Sequence, residues 1–151
     1  ARGITVVNTP MASVPSVAEL AVTMMLCCAR RVPEASRSLG AGRWDRAQLE
    51  GCTLRGKKLG LLGYGSIGEA TGKLATALGM SVCTLATSSR AGVAESAGVH
   101  LVSMEELLAG SDVVSLHMPL SERSRNLIGE HELDMMKPSA ALINTARGGL
   151  V

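Results

Sequence analysis

A strand, a glycine-rich turn and a helix follow one another between Leu59 and Leu78. The apolar run Leu59–Leu62 predicts the strand, and the segment Ile67–Leu78 predicts the helix. Between them lies a G-x-G-x-x-G turn, Gly63–Gly68. In that setting the first glycine permits the tight turn, the second lets a pyrophosphate approach the backbone, and the third lets the helix pack against the strand. The turn therefore predicts a dinucleotide site at a helix N-terminus, whereas the simpler alternative is a glycine-rich turn that binds nothing.

Short apolar runs and helical segments alternate along the rest of the chain. Further strands are predicted at Val82–Leu85, Val113–Leu116 and Ala140–Ile143, and further helices at Ser103–Leu108 and Glu130–Met136. Apolar strands without strict alternation are typical of a parallel sheet that is covered on both faces. The chain has no Phe, one Trp and one Tyr, which argues against an aromatic-rich β-sandwich. We therefore predict an α/β fold, a Rossmann-type doubly wound parallel sheet flanked by helices.

The N-terminal third has a different pattern. Ile4–Val7 is a β-branched run that predicts a short strand. Apolar residues at helical spacing follow, and they predict a helix that begins at Ser16, with Ser16 as N-cap and Glu19 completing a capping box. Pro33 is expected to bend or restart this helix, which then continues to about Leu39.

The acidic residue that usually binds the ribose 2′-hydroxyl, about 20 residues after the glycine turn, is missing. Ala86 stands near that place, and no Asp or Glu occurs from 70 to 94. The next four residues, Thr87-Ser88-Ser89-Arg90, offer three hydroxyls and a guanidinium that could hold a 2′-phosphate. The expected cofactor is thus NAD or NADP, with NADP favoured. The alternative is that Arg90 is only a solvated residue at a helix start.

Composition excludes several other classes of function. The net charge of +2 is spread along the chain, so a nucleic-acid partner is not expected. No apolar stretch approaches the ~18 residues of a membrane span, and no metal site is predicted. The four cysteines form no C-x-x-C pair and are expected to be reduced, which points to a cytoplasmic location.

Six motifs occur in order along the chain. They are Asn8-Thr9-Pro10, Ser16-Val17-Ala18-Glu19-Leu20, Gly56-Lys57, Asp112-Val113-Val114-Ser115-Leu116-His117-Met118-Pro119-Leu120, Met136-Lys137-Pro138 and Asn144-Thr145-Ala146-Arg147-Gly148. Together they resemble the D-isomer-specific 2-hydroxyacid dehydrogenases, a family that includes D-lactate, D-glycerate, hydroxypyruvate and 3-phosphoglycerate dehydrogenases. The resemblance extends from Ala1 to Val151.

The resemblance implies a two-domain subunit whose nucleotide domain is inserted into a substrate domain. Residues 1–10 would then end the substrate domain, 11–56 would form a linking helix and an interface loop, and 57–151 would form an NAD(P)-binding domain that is incomplete at its C-terminus. The chain would be a fragment cut at both ends. The resemblance also implies a homodimer when full length, with Trp44 at the subunit interface; the alternative is that Trp44 is a local anchor under its loop.

In such enzymes hydride passes between the nicotinamide and a small 2-hydroxy or 2-oxo acid. An Arg binds the carboxylate and keto oxygen, and Arg147 matches it, following a predicted strand where doubly wound folds place ligands. The alternative is an Arg that forms an ion pair at the strand end. The family's Glu and His would lie beyond Val151, so we expect cofactor binding at best, and no turnover, from this chain alone. His100 and His131 are expected at the surface.

The candidate cofactor-binding residues combine the glycine turn, the hydroxyl cluster and the ends of two strands. They are Gly63, Tyr64, Gly65, Ser66, Ile67, Gly68, Thr87, Ser88, Ser89, Arg90, His117, Met118, Pro119, Asn144, Thr145 and Ala146. Two other functions stay open. Corepressors that sense a dinucleotide resemble the same family and keep the Arg, and formate dehydrogenases share the Asn-Thr-Ala-Arg-Gly stretch. The particular 2-hydroxy acid cannot be identified from the sequence.

Overall fold

The computed structural model describes residues 3–151. Helices and strands alternate after two N-terminal helices. The elements are α1 (Val14–Arg30), α2 (Val32–Gly40), β1 (Lys58–Leu62), α3 (Ser66–Ala77), β2 (Ser81–Leu85), α4 (Ala91–Ser96), β3 (His100–Val102), α5 (Met104–Gly110), β4 (Val113–Leu116), α6 (Glu130–Met135) and β5 (Ala141–Asn144), with 3-10 turns at Arg46–Leu49 and Gly148–Leu150.

The five strands form one parallel sheet in the order β3-β2-β1-β4-β5. The chain proceeds from β1 outward to β3, then crosses back and continues on the other side of β1. This reversal places a topological switch point between β1 and β4. In doubly wound sheets, ligands bind outside the carboxyl ends of the strands at such a point. The predicted fold class is confirmed.

Helices cover both faces of the sheet, which is why most residues of the strands are apolar. On one face, Met25 of α1 and Ala75 of α3 pack with Leu61 of β1 in a buried cluster. On the other face, Leu107 and Leu108 of α5 are fully buried in a second cluster. Burying each such leucine side chain stabilises the fold by about 2 kcal/mol.

Asp112, just before β4, binds the start of β1 and the segment between α6 and β5 at the amino-terminal edge of the sheet. Its Oδ2 accepts a hydrogen bond from the backbone N–H of Lys58 at 2.8 Å, and its Oδ1 lies 3.0 Å from Nζ of Lys137. Burial opposes ionisation of Asp112, but the Lys58 N–H and the nearby lysines outweigh it and lower the pKa of the carboxyl group. The aspartate of the Asp112–Leu120 motif therefore has a structural role at the edge opposite the switch point.

Two predictions for the N-terminal part are wrong. Ile4–Val7 is not a strand: Val6 and Val7 are 87% and 85% exposed, because no neighbouring strand in residues 3–151 pairs with this β-branched run. Helix α1 begins earlier than expected, with Ser13 as N-cap and Pro15 in its first turn, a position that needs no backbone N–H. Ser16 caps nothing, because its hydroxyl donates to the carbonyl of Ser13 at 3.0 Å.

The remaining elements agree with the predictions to within a few residues, with two additions. Helix α4 has six residues and strand β3 has three. The sequence pattern does not delimit them, because neither is long enough to complete two periods of its pattern. A capping box does occur, but at Ser103 and Glu106 of α5. Trp44 is 77% exposed in the loop after α2, so the alternative of a local anchor is wrong.

Candidate functional site

The glycine turn is shaped by close contact between the ends of β1 and β4. Gly63 has φ +105°, and a Cβ there would lie 2.7 Å from the carbonyl oxygen of His117. A Cβ on Gly68 would collide with the carbonyl oxygen of Gly63. Both positions therefore require glycine for packing within the protein. Gly65 differs, because it has ordinary extended dihedrals and a Cβ there would meet nothing within 4 Å.

Helix α3 points an uncapped N-terminus at this open space. No side chain caps it, and the first helical hydrogen bond runs from the N–H of Glu69 to the carbonyl of Gly65 at 2.8 Å. Throughout residues 3–151, the backbone N–H groups of Ser66, Ile67 and Gly68 have no hydrogen-bond acceptor outside the helix. Free N–H groups and the positive end of the helix dipole together suit an anion.

A cleft of about 310 Å³ opens at the carboxyl ends of β1, β2 and β4. It brings together the first half of the glycine turn, the whole hydroxyl cluster and the segment after β4. Its lining consists of Gly63, Tyr64, Gly65, Thr84, Leu85, Thr87, Ser88, Ser89, Arg90, His117, Met118 and Pro119. Thr84 and Leu85 were not predicted, although their position at the end of β2 could have indicated them. Ser66, Ile67 and Gly68 stand beside the cleft in the first turn of α3.

A larger cleft of about 820 Å³ lies at the opposite edge of the sheet, beside Asp112 and Ala141. It contains none of the predicted site residues. Parallel sheets bind ligands at the carboxyl ends of their strands, so the smaller cleft is the better candidate despite its size.

Arg90 closes the hydroxyl-rich end of the candidate cleft. Its backbone N–H donates to Oγ of Ser88 at 3.3 Å, and its Nη2 lies 2.9 Å from Oε2 of Glu69 on α3. Glu69 also accepts from Nζ of Lys73 at 2.8 Å, and the hydrogen bonds from Lys73 and Arg90 lower the pKa of Glu69. Arg90 does precede α4, as the simpler alternative expected, but its guanidinium is held in an ion pair and is not simply solvated.

His117 is an uncharged residue of the cleft wall. Its backbone N–H donates to the carbonyl of Leu62 at 2.8 Å, and its Nε2 lies 3.0 Å from Oγ of Ser115. Burial disfavours the charged imidazole and lowers the pKa of His117 from 6.5 to about 4. His117 is therefore neutral near pH 7. His100 and His131 are both exposed, as predicted.

We expect the low pKa of His117 to make the fold sensitive to acid. Between pH 6.5 and about 4 the unfolded chain binds a proton on this side chain and the folded chain does not. The free energy of unfolding should therefore fall as the pH is lowered through this window, by roughly 3 kcal/mol from His117 alone. Urea unfolding of wild type and His117→Gln at several pH values measures this contribution, because the variant should lose less stability than wild type. His131→Gln is the matched control, and equal slopes for wild type and His117→Gln would contradict the prediction.

The residues after β5 form a compact turn at the same edge of the sheet. Asn144 shapes it, since its Oδ1 accepts from the N–H of Ala146 at 3.0 Å and its Nδ2 donates to the carbonyl of Arg147 at 2.9 Å. The hydroxyl of Thr145 is buried without a hydrogen-bond partner in the described chain. Arg147 is exposed, donates to the carbonyl of Ala146 and forms no ion pair anywhere in residues 3–151, which removes the ion-pair alternative.

These features fit a dinucleotide. The space over Gly65 accepts a group that needs close backbone approach, the α3 N-terminus offers free donors, and Thr145 keeps an unused hydroxyl near the end of β5. Asn144, Thr145, Ala146 and Arg147 do not line the 310 Å³ cleft, although strand pairing puts Asn144 level with Leu116 at the same edge. In the part of the chain that the structure describes, no cluster of three His, Cys, Asp or Glu side chains could hold a metal, and no helix is long and apolar enough to cross a membrane.

Comparison with known proteins gives a consistent result. Residues 22–151 match the family described as "D-isomer specific 2-hydroxyacid dehydrogenase, NAD binding domain". The chain is 44% identical to D-3-phosphoglycerate dehydrogenase of Methanocaldococcus jannaschii and 43% identical to hydroxypyruvate reductase of Thermotoga maritima, over 99% of its own length and 29% and 48% of theirs. A crystal structure of a Thermus thermophilus protein superposes with a TM-score of 0.89 at 40% identity, over 99% of this chain and 48% of that one. The chain thus spans less than half the length of these proteins.

Proposed function

Because the chain belongs to the D-isomer specific 2-hydroxyacid dehydrogenase family, as its NAD binding domain, we propose that it is the nucleotide-binding portion of an oxidoreductase. The intact enzyme transfers hydride between NAD(P)H and a small D-2-hydroxy or 2-oxo acid. The observation that carries this proposal is the cleft at the β1–β4 switch point, where open space over Gly65 meets the uncapped N-terminus of α3. The bound nicotinamide supplies or accepts the hydride.

The residues of this chain bind the cofactor and the substrate in this proposal. The free N–H groups at the start of α3 bind the pyrophosphate, and Gly65 lets it approach. Arg147 binds the carboxylate and keto oxygen of the substrate, for which its fork of donors is suited. His117 is not the general acid in this proposal, since a pKa of about 4 leaves its imidazole neutral near pH 7. We assign proton transfer to a Glu–His pair outside this chain.

The preferred cofactor in this proposal is NADP. Thr87, Ser88 and Ser89 line the same cleft as Arg90. The residue after β2 is Ala86, where an acidic residue would usually stand. A 2′-phosphate would gain charge-assisted hydrogen bonds there, and a 2′-hydroxyl would lack the carboxylate that usually stands at the end of β2.

A titration of the purified chain with NADH and then NADPH tests the proposal. We expect both to bind, with a change in reduced-nicotinamide fluorescence, and NADPH to bind more tightly at low salt. The preference should shrink as the salt concentration rises. Tighter binding of NADH would contradict the NADP preference. Binding of neither nucleotide by a chain that is folded by circular dichroism would contradict the function itself.

We also propose a homodimeric, cytoplasmic enzyme. Trp44 is 77% exposed beside Leu39, which is 57% exposed, and such an apolar pair is suited to burial in an interface. The cysteines Cys27, Cys28, Cys52 and Cys83 are all free thiols, which suits a reducing compartment. Sedimentation of the intact enzyme should show a dimer that is weakened by Trp44→Ser, and a wild-type monomer at micromolar concentration would contradict the dimer.

A further inference from the structure

Glu69 places a carboxylate beside Arg90 at the hydroxyl-rich end of the cleft. It follows Gly68 directly, in the first turn of α3, while Arg90 precedes α4. The carboxylate joins two cations, with Oε2 2.9 Å from Nη2 of Arg90 and Oε1 2.8 Å from Nζ of Lys73. The Lys73 contact is an ordinary i,i+4 pair within one helix, whereas the Arg90 contact joins α3 to the turn before α4.

The ion pair leaves part of the Arg90 guanidinium free for a ligand. Its side chain is 36% exposed, and within residues 3–151 its Nε and Nη1 make no hydrogen bond. Arg90 therefore faces the cleft with unused donors while Nη2 is engaged by Glu69. The Glu69 side chain is 22% exposed, and it adjoins the cleft through its ion pair with Arg90, although Glu69 is not among the residues that line it.

The charge of Glu69 persists at neutral pH, because the hydrogen bonds from Lys73 and Arg90 lower its pKa. A 2′-phosphate that binds Arg90 must therefore share the guanidinium with a second anion. A 2′-hydroxyl does not face this repulsion, and it can donate a hydrogen bond to a carboxylate. Attraction by Arg90 thus favours NADPH over NADH, whereas repulsion by Glu69 disfavours NADPH.

We propose that Glu69 is a selectivity-determining residue, whose carboxylate supplies from α3 the negative charge that Ala86 lacks and so moderates the preference of Arg90 for a 2′-phosphate. This inference rests on the proposed function, because it requires a dinucleotide in this cleft. The glycine turn and Arg90 set where the ribose lies, and Glu69 sets how strongly NADPH is favoured over NADH.

The test is a double-mutant cycle on the whole chain, with dissociation constants for NADH and NADPH measured by nicotinamide fluorescence. Glu69→Gln keeps the size of the side chain and removes its charge. We expect it to raise the ratio Kd(NADH)/Kd(NADPH) about fivefold, mainly through tighter NADPH binding. Arg90→Ala should lower the ratio, because it frees the Glu69 carboxylate to accept a hydrogen bond from the 2′-hydroxyl of NADH. Adding Glu69→Gln to Arg90→Ala removes this acceptor and should therefore raise the dissociation constant of NADH. Glu105→Gln, an exposed first-turn glutamate of α5, is the control for net charge.

An unchanged or lower ratio in Glu69→Gln overturns the inference, as does an equal shift in Glu105→Gln. In either case the wild-type chain still binds both nucleotides, so the proposed function stands. If the folded wild-type chain binds neither nucleotide, the proposed function fails, and the inference fails with it.

Discussion

Gly65→Val should abolish dinucleotide binding without unfolding the protein. A Cβ at this position meets no protein atom within 4 Å, and Gly65 has ordinary extended dihedrals, so we expect the fold to tolerate the substitution at a cost of about 1 kcal/mol or less. The same side chain fills the space through which a pyrophosphate would reach the α3 N-terminus. We expect the dissociation constants of both NADH and NADPH to rise about 100-fold, which corresponds to about 3 kcal/mol.

Gly63→Ala provides the matched comparison within the same turn. Its added methyl group would lie 2.7 Å from the carbonyl oxygen of His117, at a φ of +105° that side chains rarely adopt. The expected loss is about 3 kcal/mol or more in the free energy of unfolding, measured by urea denaturation. The two variants thus separate a glycine required by a ligand from one required by packing. Normal cofactor affinity in a folded Gly65→Val chain would refute the proposed site.

The parts of the fold that could be predicted depend on local pattern. The glycine turn between strand and helix could be predicted because each of its glycines has a local geometric role. In the structure, Gly63 and Gly68 have the close backbone contacts that only glycine allows. Strands β1 and β4 are buried on both faces, as their apolar runs without strict alternation predicted for a covered parallel sheet. Ile4–Val7 shows the limit of this reasoning, because a β-branched run forms a strand only where a neighbouring strand pairs with it.

The features of the site that could not be predicted depend on tertiary contacts. Glu69 and Arg90 are 21 residues apart, and only the fold brings α3 and the turn between β2 and α4 close enough for their side chains to meet. The low pKa of His117 arises from burial, which the motif around it does not encode. Thr84 and Leu85 line the cleft because of where β2 ends. The sequence therefore predicted where the cleft lies, whereas the ion pair of Glu69 with Arg90 and the low pKa of His117 could be found only from the structure.

Arg147→Lys should remove most of the turnover of the intact enzyme while leaving its affinity for the cofactor unchanged. Arg147 is exposed at the carboxyl edge of the sheet and has no ion-pair partner in residues 3–151, so its charge is available to a ligand. Lysine keeps the charge but lacks the planar fork that binds a carboxylate and an adjacent keto oxygen together. We expect kcat/KM for 2-oxo acids to fall about 100- to 1,000-fold, or about 3–4 kcal/mol in transition-state stabilisation.

The measurement combines steady-state kinetics with a direct cofactor titration, because the two readouts separate the possible roles of Arg147. A residue that orients the substrate affects kcat/KM and leaves the dissociation constant of NADPH within about twofold, whereas a residue that only shapes the turn after β5 would change both together. Arg55→Lys is the matched control, since Arg55 is an exposed arginine that packs beside Gly79, just before β2 at the opposite edge of the sheet. Wild-type kinetics in Arg147→Lys would assign substrate binding to another residue and leave the Arg147 side chain only its hydrogen bond to the carbonyl of Ala146.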